Sequence, residues 1–164
     1  MAVDLVTINV VVNGDRIERS VPARQHLVDF LRGDLGLTGS HLGCEHGVCG
    51  ACTLLVNGEI VRGCLMLAAQ VDGMEVETIE GLSGRGVIGE LQHQFHLRNA
   101  LQCGFCTPAM LITAADLIEK NPGATRDQIK EHISGNYCRC TGYQSIVEAI
   151  TATIEVQKDA KGPK

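Results

Sequence analysis

The chain of 164 residues lacks tryptophan and has few other aromatic residues, two tyrosines and three phenylalanines. Its core must therefore be mostly aliphatic, which a hydrophobic content of 45 % can supply. It also lacks a basic excess: the formal net charge is −5, whereas nucleic-acid binding needs a basic patch. No apolar run approaches the ~20 residues of a membrane span, and the first residues lack a basic and apolar signal segment. These absences predict no nucleic-acid partner, no membrane span and no export signal.

The eight cysteines fall into two sets of four, with none left over. The first set has the spacing C-x4-C-x2-C-x11-C, and the second is C-x2-C followed, after 31 residues, by C-x-C. The sets are Cys44, Cys49, Cys52 and Cys64, and Cys103, Cys106, Cys138 and Cys140. Four thiolates complete one [2Fe-2S] cluster, and C-x4-C-x2-C is the plant-type ferredoxin spacing. The sequence therefore predicts two [2Fe-2S] clusters and an electron relay.

The same cysteines bear on the compartment. Without an export signal, eight thiols fit a reducing environment in which they stay free to bind metal, so we predict a cytoplasmic protein. An even number of cysteines also permits a disulfide framework, which remains the alternative.

Hydrophobic patterns divide the chain into two domains of an α+β protein. Residues 1–80 carry strand patterns over 5–12, 16–21, 53–56, 59–62 and 75–79, two Asn-Gly hairpin turns and one helix over 25–35. Residues 81–87 are a Gly-rich linker, residues 88–157 carry four helices, and residues 158–164 are a polar tail. Strands, one helix and then more strands indicate an α+β domain followed by an all-α four-helix domain.

The helical half contains a near-repeat of helix, cysteine pair and helix. The helices are predicted over 88–98, over 108–120 with Thr107 as N-cap, from a capping box Thr125–Gln128, and from a second box Thr141–Gln144. The second and fourth helices each follow a cysteine pair. We therefore expect two helix N-termini to point at one cluster, since their dipoles favour its negative charge.

Glycines surround the first three cysteines. A [2Fe-2S] cluster with four thiolates carries a charge of about −2, which backbone N–H groups turned inward can compensate as an anion-binding nest. Gly43, Gly47 and Gly50 are predicted to supply this backbone, because glycine permits the positive φ angles that such wrapping needs.

Two other metal chemistries are alternatives to clusters held by four cysteines. His46 forms C-x-H with Cys44, but a Rieske centre needs a second such pair, which Cys49 and Cys52 do not make. Structural zinc sites remain an alternative, although the gap of 31 residues and the C-x-C differ from the usual paired knuckles.

Three segments together resemble a known family. They are Gly43–Thr53 (GCEHGVCGACT), Gln102–Pro108 (QCGFCTP) and Cys138–Tyr143 (CRCTGY). The chain resembles, over roughly residues 5–155, the iron–sulfur subunit of the xanthine oxidase family of molybdenum hydroxylases. The resemblance implies a plant-ferredoxin-like β-grasp domain followed by the helical [2Fe-2S] domain of these enzymes.

The resemblance also implies partners and a circuit. A large subunit would hold a molybdenum–pterin cofactor, and electrons would pass to the helical-domain cluster, then to the plant-type cluster and then to FAD on a medium subunit, in a dimer of heterotrimers. In the family, the residues matching Gln102 and Cys140 approach the partner's pterin. Some members pass electrons to a cytochrome instead, and some are exported to the periplasm with their partner.

No nucleophile–base pair, phosphate loop or carboxylate pair indicates bond chemistry on this chain, so no catalytic residue is predicted. The chain is thus expected to serve an oxidoreductase complex without converting substrate itself. The alternative is a free-standing carrier with two clusters. The substrate stays open among CO, an aldehyde, a purine, an N-heterocycle and an aromatic acyl-CoA.

Overall fold

The computed structural model describes residues 4–160, which begin with a mixed sheet of five strands. The strands are β1 (Leu5–Val12), β2 (Asp15–Pro22), β3 (Thr53–Val56), β4 (Glu59–Arg62) and β5 (Glu75–Glu77). Their order in the sheet is β2-β1-β5-β3-β4, with β1 and β5 parallel and the other neighbours antiparallel. The predicted α+β class is confirmed, with the sheet of a ferredoxin-like β-grasp fold followed by helices.

Both Asn-Gly turns form the hairpins predicted for them. Asn13 and Gly14 have φ angles of 52° and 92°, and Asn57 and Gly58 have 50° and 78°. Two successive positive φ angles define the tight turn whose twist matches that of its strands. The second hairpin matters for the site, because it fixes the ends of β3 and β4 beside each other.

The helix predicted over residues 25–35 is shorter and changes its winding. α1 (Leu27–Asp29) continues directly as a π-helix, Phe30–Asp34. Its apolar stripe, Leu27, Phe30 and Leu31, is fully buried against the sheet. A 3₁₀ turn (Ala68–Val71) closes the same core.

The strand and linker predicted between residues 75 and 87 are partly wrong. β5 ends at Glu77, and α2 (Ile79–Leu82) occupies the start of the expected linker. The buried Thr78 ends the strand because its N–H donates to Asn13 Oδ1 at 2.8 Å and its hydroxyl donates to Glu80 at 2.6 Å. Ile79 is 7 % exposed and joins the core of the helical half, so this segment is packed rather than free.

Four helices form the second half: α3 (Gly86–Leu97), α4 (Thr107–Lys120), α5 (Arg126–Ile133) and α6 (Gln144–Ala160). Each packs against two others, so α3, α4, α5 and α6 close a ring around one aliphatic core. Every side chain of α4 from Ala109 to Ile118 is buried, as expected for a helix that is apolar almost throughout. Among residues 4–160, no helix is long and apolar enough to cross a bilayer.

Several helix ends in this half differ from their predicted positions; α3, for example, begins at Gly86 instead of residue 88. The capping box of Thr125 and Gln128 forms as predicted. α4, however, begins at Thr107 itself, with Cys106 at the N-cap. The second predicted box is absent, since α6 begins only at Gln144 and the Thr141 hydroxyl donates to Cys138 Sγ instead. α6 also includes residues 158–160 of the expected tail, whose remaining residues lie outside the described range.

Candidate metal centres

The β3–β4 hairpin brings two cysteines of the first set together. Cys52 immediately precedes β3, and Cys64 follows β4 after one residue, at the same end of the hairpin. The Gly63 N–H donates to the Cys52 carbonyl at 3.1 Å, and the two thiols contact each other. Both side chains are 2 % exposed, so they form the inner pair of this set.

The other two cysteines of this set lie in the loop between α1 and β3. The Cys49 N–H points at Cys44 Sγ, at 3.4 Å. This hydrogen bond, with a further one from the His46 backbone, lowers the pKa of Cys44 to about 6. Burial instead raises the pKa of Cys52 to about 11. The Cys44 thiol therefore ionises readily, whereas the buried Cys52 thiol would lose its proton on coordinating a metal ion.

The three predicted glycines lie in this loop, and two different physical requirements explain why these positions are glycine. Gly47 and Gly50 have φ angles of 81° and 73°, in the left-handed region that favours glycine. Gly43 does not have a positive φ, contrary to prediction. Close packing instead favours a small residue at Gly43, because a Cβ there would lie 3.2 Å from Cys49 Sγ and 3.5 Å from the Phe105 ring. Glu45, with a φ of 60°, takes a left-handed position that the sequence did not reveal.

The second set is divided between two helix–helix loops. Cys103 and Cys106 lie between α3 and α4, and Cys138 and Cys140 lie between α5 and α6. Cys140 Sγ lies 3.5 Å from Cys103 Sγ, and Cys106 contacts Cys138. The first pair is exposed and the second is partly buried, so this set also has an outer and an inner pair.

Local contacts set the acidity of the inner pair differently. Burial raises the pKa of Cys106 to about 12. Burial also opposes ionisation of Cys138, but hydrogen bonds from the Thr141 hydroxyl and backbone outweigh it and lower the pKa of Cys138. The Tyr143 hydroxyl accepts from the Cys138 N–H at 2.9 Å and fixes this loop from its other side.

This arrangement of sulfur atoms fits binuclear clusters. None of the eight cysteines forms a disulfide, and each set consists of two contacting thiol pairs that lie close to each other. Across residues 4–160, no three His, Cys, Asp or Glu side chains meet around a point for a single ion. A [2Fe-2S] cluster has two irons and takes its four thiolates as two pairs, so the donor set fits this cofactor.

The two cysteine loops touch each other directly. The Tyr137 N–H, next to Cys138, donates to the Cys49 carbonyl at 2.8 Å. Beside it, Asn136 Nδ2 donates to the Gly50 carbonyl at 3.2 Å. The contact is so close that a Cβ on Gly50 would lie 2.3 Å from the Gly135 carbonyl oxygen.

A buried polar network surrounds this contact and was not foreseen from the sequence. Asn136 is 1 % exposed, receives a hydrogen bond from Thr113 at 3.1 Å and donates to Thr53 Oγ1 at 3.3 Å. Arg62 donates to the same Thr53 hydroxyl and to the Gly135 carbonyl. In the sequence, the only sign of this network is the Gly-Asn pair shortly before the C-x-C, and such a pair by itself indicates no more than a turn.

The outer pair of the second set opens on a partly apolar surface. Gln102, Cys103 and Cys140 are exposed there. Nearby in the same two loops, Leu101 and Tyr137 are 40 % and 56 % exposed. Large apolar side chains left open beside functional groups are typical of protein–protein contact surfaces.

Comparison with known proteins agrees with this geometry. Residues 10–79 match a 2Fe-2S iron–sulfur cluster binding domain, and residues 78–151 match a [2Fe-2S] binding domain. The chain is 55 % identical to the nicotine 6-hydroxylase small subunit of Paenarthrobacter nicotinovorans, over 90 % of this chain and 88 % of that one. The chain belongs to the iron–sulfur subunits of the xanthine oxidase family of molybdenum hydroxylases.

Other relatives in the family agree over nearly the whole chain. Caffeine dehydrogenase subunit gamma of Pseudomonas sp. (strain CBB1) is 50 % identical over 94 % of both chains. Among solved structures, quinoline 2-oxidoreductase of Pseudomonas putida 86 is 46 % identical, with a TM-score of 0.86 over 96 % of this chain and 99 % of that one. The protein is thus an iron–sulfur subunit of an oxidoreductase complex with larger partners, and it has an electron-transfer role there.

Proposed function

We propose that this subunit carries electrons from a molybdenum–pterin centre on a large partner subunit, by way of two [2Fe-2S] clusters, to FAD on a medium subunit. The observation that carries the proposal is the direct contact between the two cysteine loops, through the hydrogen bond of Tyr137 to Cys49. Each cluster, when bound, accepts and releases one electron. The protein's part is to hold the sites, join them and leave one end of each accessible.

We propose all eight cysteines as cluster ligands, two pairs for each site. Cys44 with Cys49 and Cys52 with Cys64 would hold the plant-type cluster. Cys103 with Cys140 and Cys106 with Cys138 would hold the helical-domain cluster. The thiol contacts within each pair support this division, and the N–H groups directed at Cys44 and Cys138 favour their ionised forms.

Electrons would enter at the outer pair of the helical half. Cys140 and the neighbouring Gln102 are exposed, and we propose that both face the pterin of the large subunit. The apolar side chains of Leu101 and Tyr137 beside them would be covered by that subunit. An exposed thiolate pair suits this role, because electron transfer to a partner's centre requires a short separation.

Between the sites, the Cys49 carbonyl and the Tyr137 N–H provide a hydrogen-bonded route from one loop to the other. Cys49 is a ligand on one side, and Tyr137 is bonded to the ligand Cys138 on the other. The buried Asn136 bonds to Gly50 and Thr53 and so holds the two loops together. A buried and rigid contact favours transfer by lowering the reorganisation that accompanies each electron.

At the far end, Val48 and Leu65 are 46 % and 65 % exposed beside the plant-type loop. We propose that the flavin subunit covers this surface and that the complex is a dimer of heterotrimers. Its substrate would be an N-heterocycle, because the relatives of 46–55 % identity are named for nicotine, caffeine and quinoline. We propose a reducing compartment such as the cytoplasm, in which eight thiols stay free to bind metal.

We also propose the two-domain division, with residues 1–80 holding the plant-type cluster and residues 88–157 holding the second. Separate aliphatic cores in the two halves support it, although Ile79 belongs to the core of the helical half.

Low-temperature EPR of the dithionite-reduced protein, purified with its partners, tests the proposal. We expect two distinct spin-half signals, about four irons per chain, and molybdenum in the complex. Two signals from a monomer without molybdenum would instead support a free-standing carrier. Zinc in place of iron, with no signal, would refute the assignment of both sites.

A further inference from the structure

Arg62 lies where the two cysteine loops meet. It ends β4, two residues before Cys64. Its Nη2 donates to the Gly135 carbonyl, in the loop of the second set, at 3.0 Å. Its Nη1 donates to the hydroxyl of Thr53, which follows Cys52. The half-buried Arg62 side chain therefore bonds both to the residue that follows Cys52 and to the loop of the second set.

The charge of Arg62 has no carboxylate partner. Both of its hydrogen-bond acceptors are neutral oxygens, and no Asp or Glu oxygen within residues 4–160 forms an ion pair with it. Withdrawing an unpaired cation from water is unfavourable unless negative charge lies nearby. Each filled cluster site carries about −2 with its thiolates, so the two sites supply that negative charge.

The backbone leaves room for this side chain. A Cβ on Gly135 would lie 2.9 Å from Arg62 Nη2, and no other heavy atom lies within 4 Å of it. Gly135 is also outside the positive φ region. The small residue at this position therefore serves the approach of the guanidinium, not the conformation of the loop.

We propose that Arg62 is an electrostatic tuning residue shared by both sites, whose charge raises the reduction potential of both clusters. The inference rests on the proposed function. Each cluster takes up one electron and so gains one negative charge, and a nearby cation stabilises the more negative, reduced form. Arg suits the position better than Lys, because its planar fork bonds two acceptors at once and keeps its charge at any pH.

A redox titration of the purified complex, with dithionite as the electron donor and EPR as the readout, tests the proposal. The variants are Arg62→Gln, which removes the charge, and Arg62→Lys, which keeps it. Arg16→Gln is the matched control, because it removes one charge from the exposed strand β2. We expect Arg62→Gln to shift both midpoint potentials to more negative values. Arg62→Lys should shift them less, and the control should leave them unchanged.

Gly135→Ala provides a second variant that keeps every charge. Its methyl group meets only the end of the flexible Arg62 side chain, so the fold is retained while the guanidinium is displaced from the Gly135 carbonyl. We expect the potential of the helical-domain cluster to fall more than that of the plant-type cluster. If Arg62→Gln loses a cluster, the midpoint potentials of Gly135→Ala show instead whether the position of the Arg62 charge matters.

Two kinds of failure are distinguishable. A parent complex without two [2Fe-2S] signals would refute the proposed function. If both signals are intact in Arg62→Gln and neither potential moves, the role of Arg62 is refuted while the proposed function stands. If Arg62→Gln loses a cluster, unchanged potentials in Gly135→Ala refute that role instead. An equal shift in Arg62→Lys and Arg62→Gln would also overturn it, because charge would then not be the cause.

Discussion

Substitution of Gly50 by Ala should separate the two cysteine loops. Gly50 has a φ of 73°, and its new methyl group would lie 2.3 Å from the Gly135 carbonyl oxygen and 2.9 Å from Asn136 Cα. A side chain in the left-handed region costs roughly 1–2 kcal/mol. Forcing a methyl group into a closed contact costs roughly 1–3 kcal/mol more. Backbone atoms cannot move aside as a side chain can, so the loops must part.

Gly104→Ala is the matched control for this substitution. Gly104 also lies in a cysteine loop with a positive φ, 81°, but nothing lies within 4 Å of its added Cβ. It should therefore cost only the roughly 1–2 kcal/mol of backbone strain. For a chain of this size each kcal/mol lowers Tm by about 2–4 °C, so Gly50→Ala should unfold about 2–12 °C below the control.

Thermal unfolding, followed at one scan rate by loss of the clusters' visible absorbance, measures this difference. EPR of the fully reduced protein provides a second readout, because the magnetic interaction between two clusters weakens steeply as their separation grows. We expect that interaction to weaken in Gly50→Ala and to persist in Gly104→Ala. Equal unfolding temperatures and unchanged interaction in both variants would show that the loops do not depend on this contact.

Three further predictions concern the sites and the fold. Cys140→Ser should disturb the outer pair and stop turnover of the complex, and normal turnover with two intact EPR signals would contradict its ligand role. Thr125→Ala should remove the N-cap of α5 and destabilise the chain by about 1 kcal/mol, measured as a fall in Tm, whereas an unchanged Tm would show the cap to be dispensable. In the cluster-free chain, Cys44 with a pKa of about 6 should be mostly thiolate at neutral pH and Cys106 with a pKa of about 12 should be protonated. Alkylation followed by mass spectrometry should therefore label Cys44 before Cys106, and the rate of labelling at Cys44 should fall as the pH drops through about 6. Equal labelling of Cys44 and Cys106 would refute this order of pKa values.

Local signals in the sequence predicted most of the fold. The Asn-Gly turns, the apolar run of α4 and the capping box at Thr125 each depend on residues a few positions apart, and all three form as expected. The cysteine spacing likewise predicted two sets of four. The turns, the apolar residues of α4 and the capping box are readable because their physical causes lie within one turn or one helix.

The errors arose where a second partner, near or distant in the chain, competes for the same group. The Thr141 hydroxyl was expected to cap α6 but bonds to Cys138 Sγ, three residues before it. Thr78 was expected to continue a strand, yet its bonds to Asn13, 65 residues away, end it. The loop contact was equally hidden, because Asn136 and Gly50 are separated by 86 residues. A pattern over neighbouring residues cannot predict hydrogen bonds between residues this far apart in the chain.

The contact between the cysteine loops has a consequence for how the protein matures. A bound cluster stabilises the loop that holds it, because binding free energy is also folding free energy. The loops share the Tyr137–Cys49 hydrogen bond, so ordering either loop prepares the other. Insertion of the two clusters should therefore be cooperative, with half-filled chains scarce beside empty and completely filled ones.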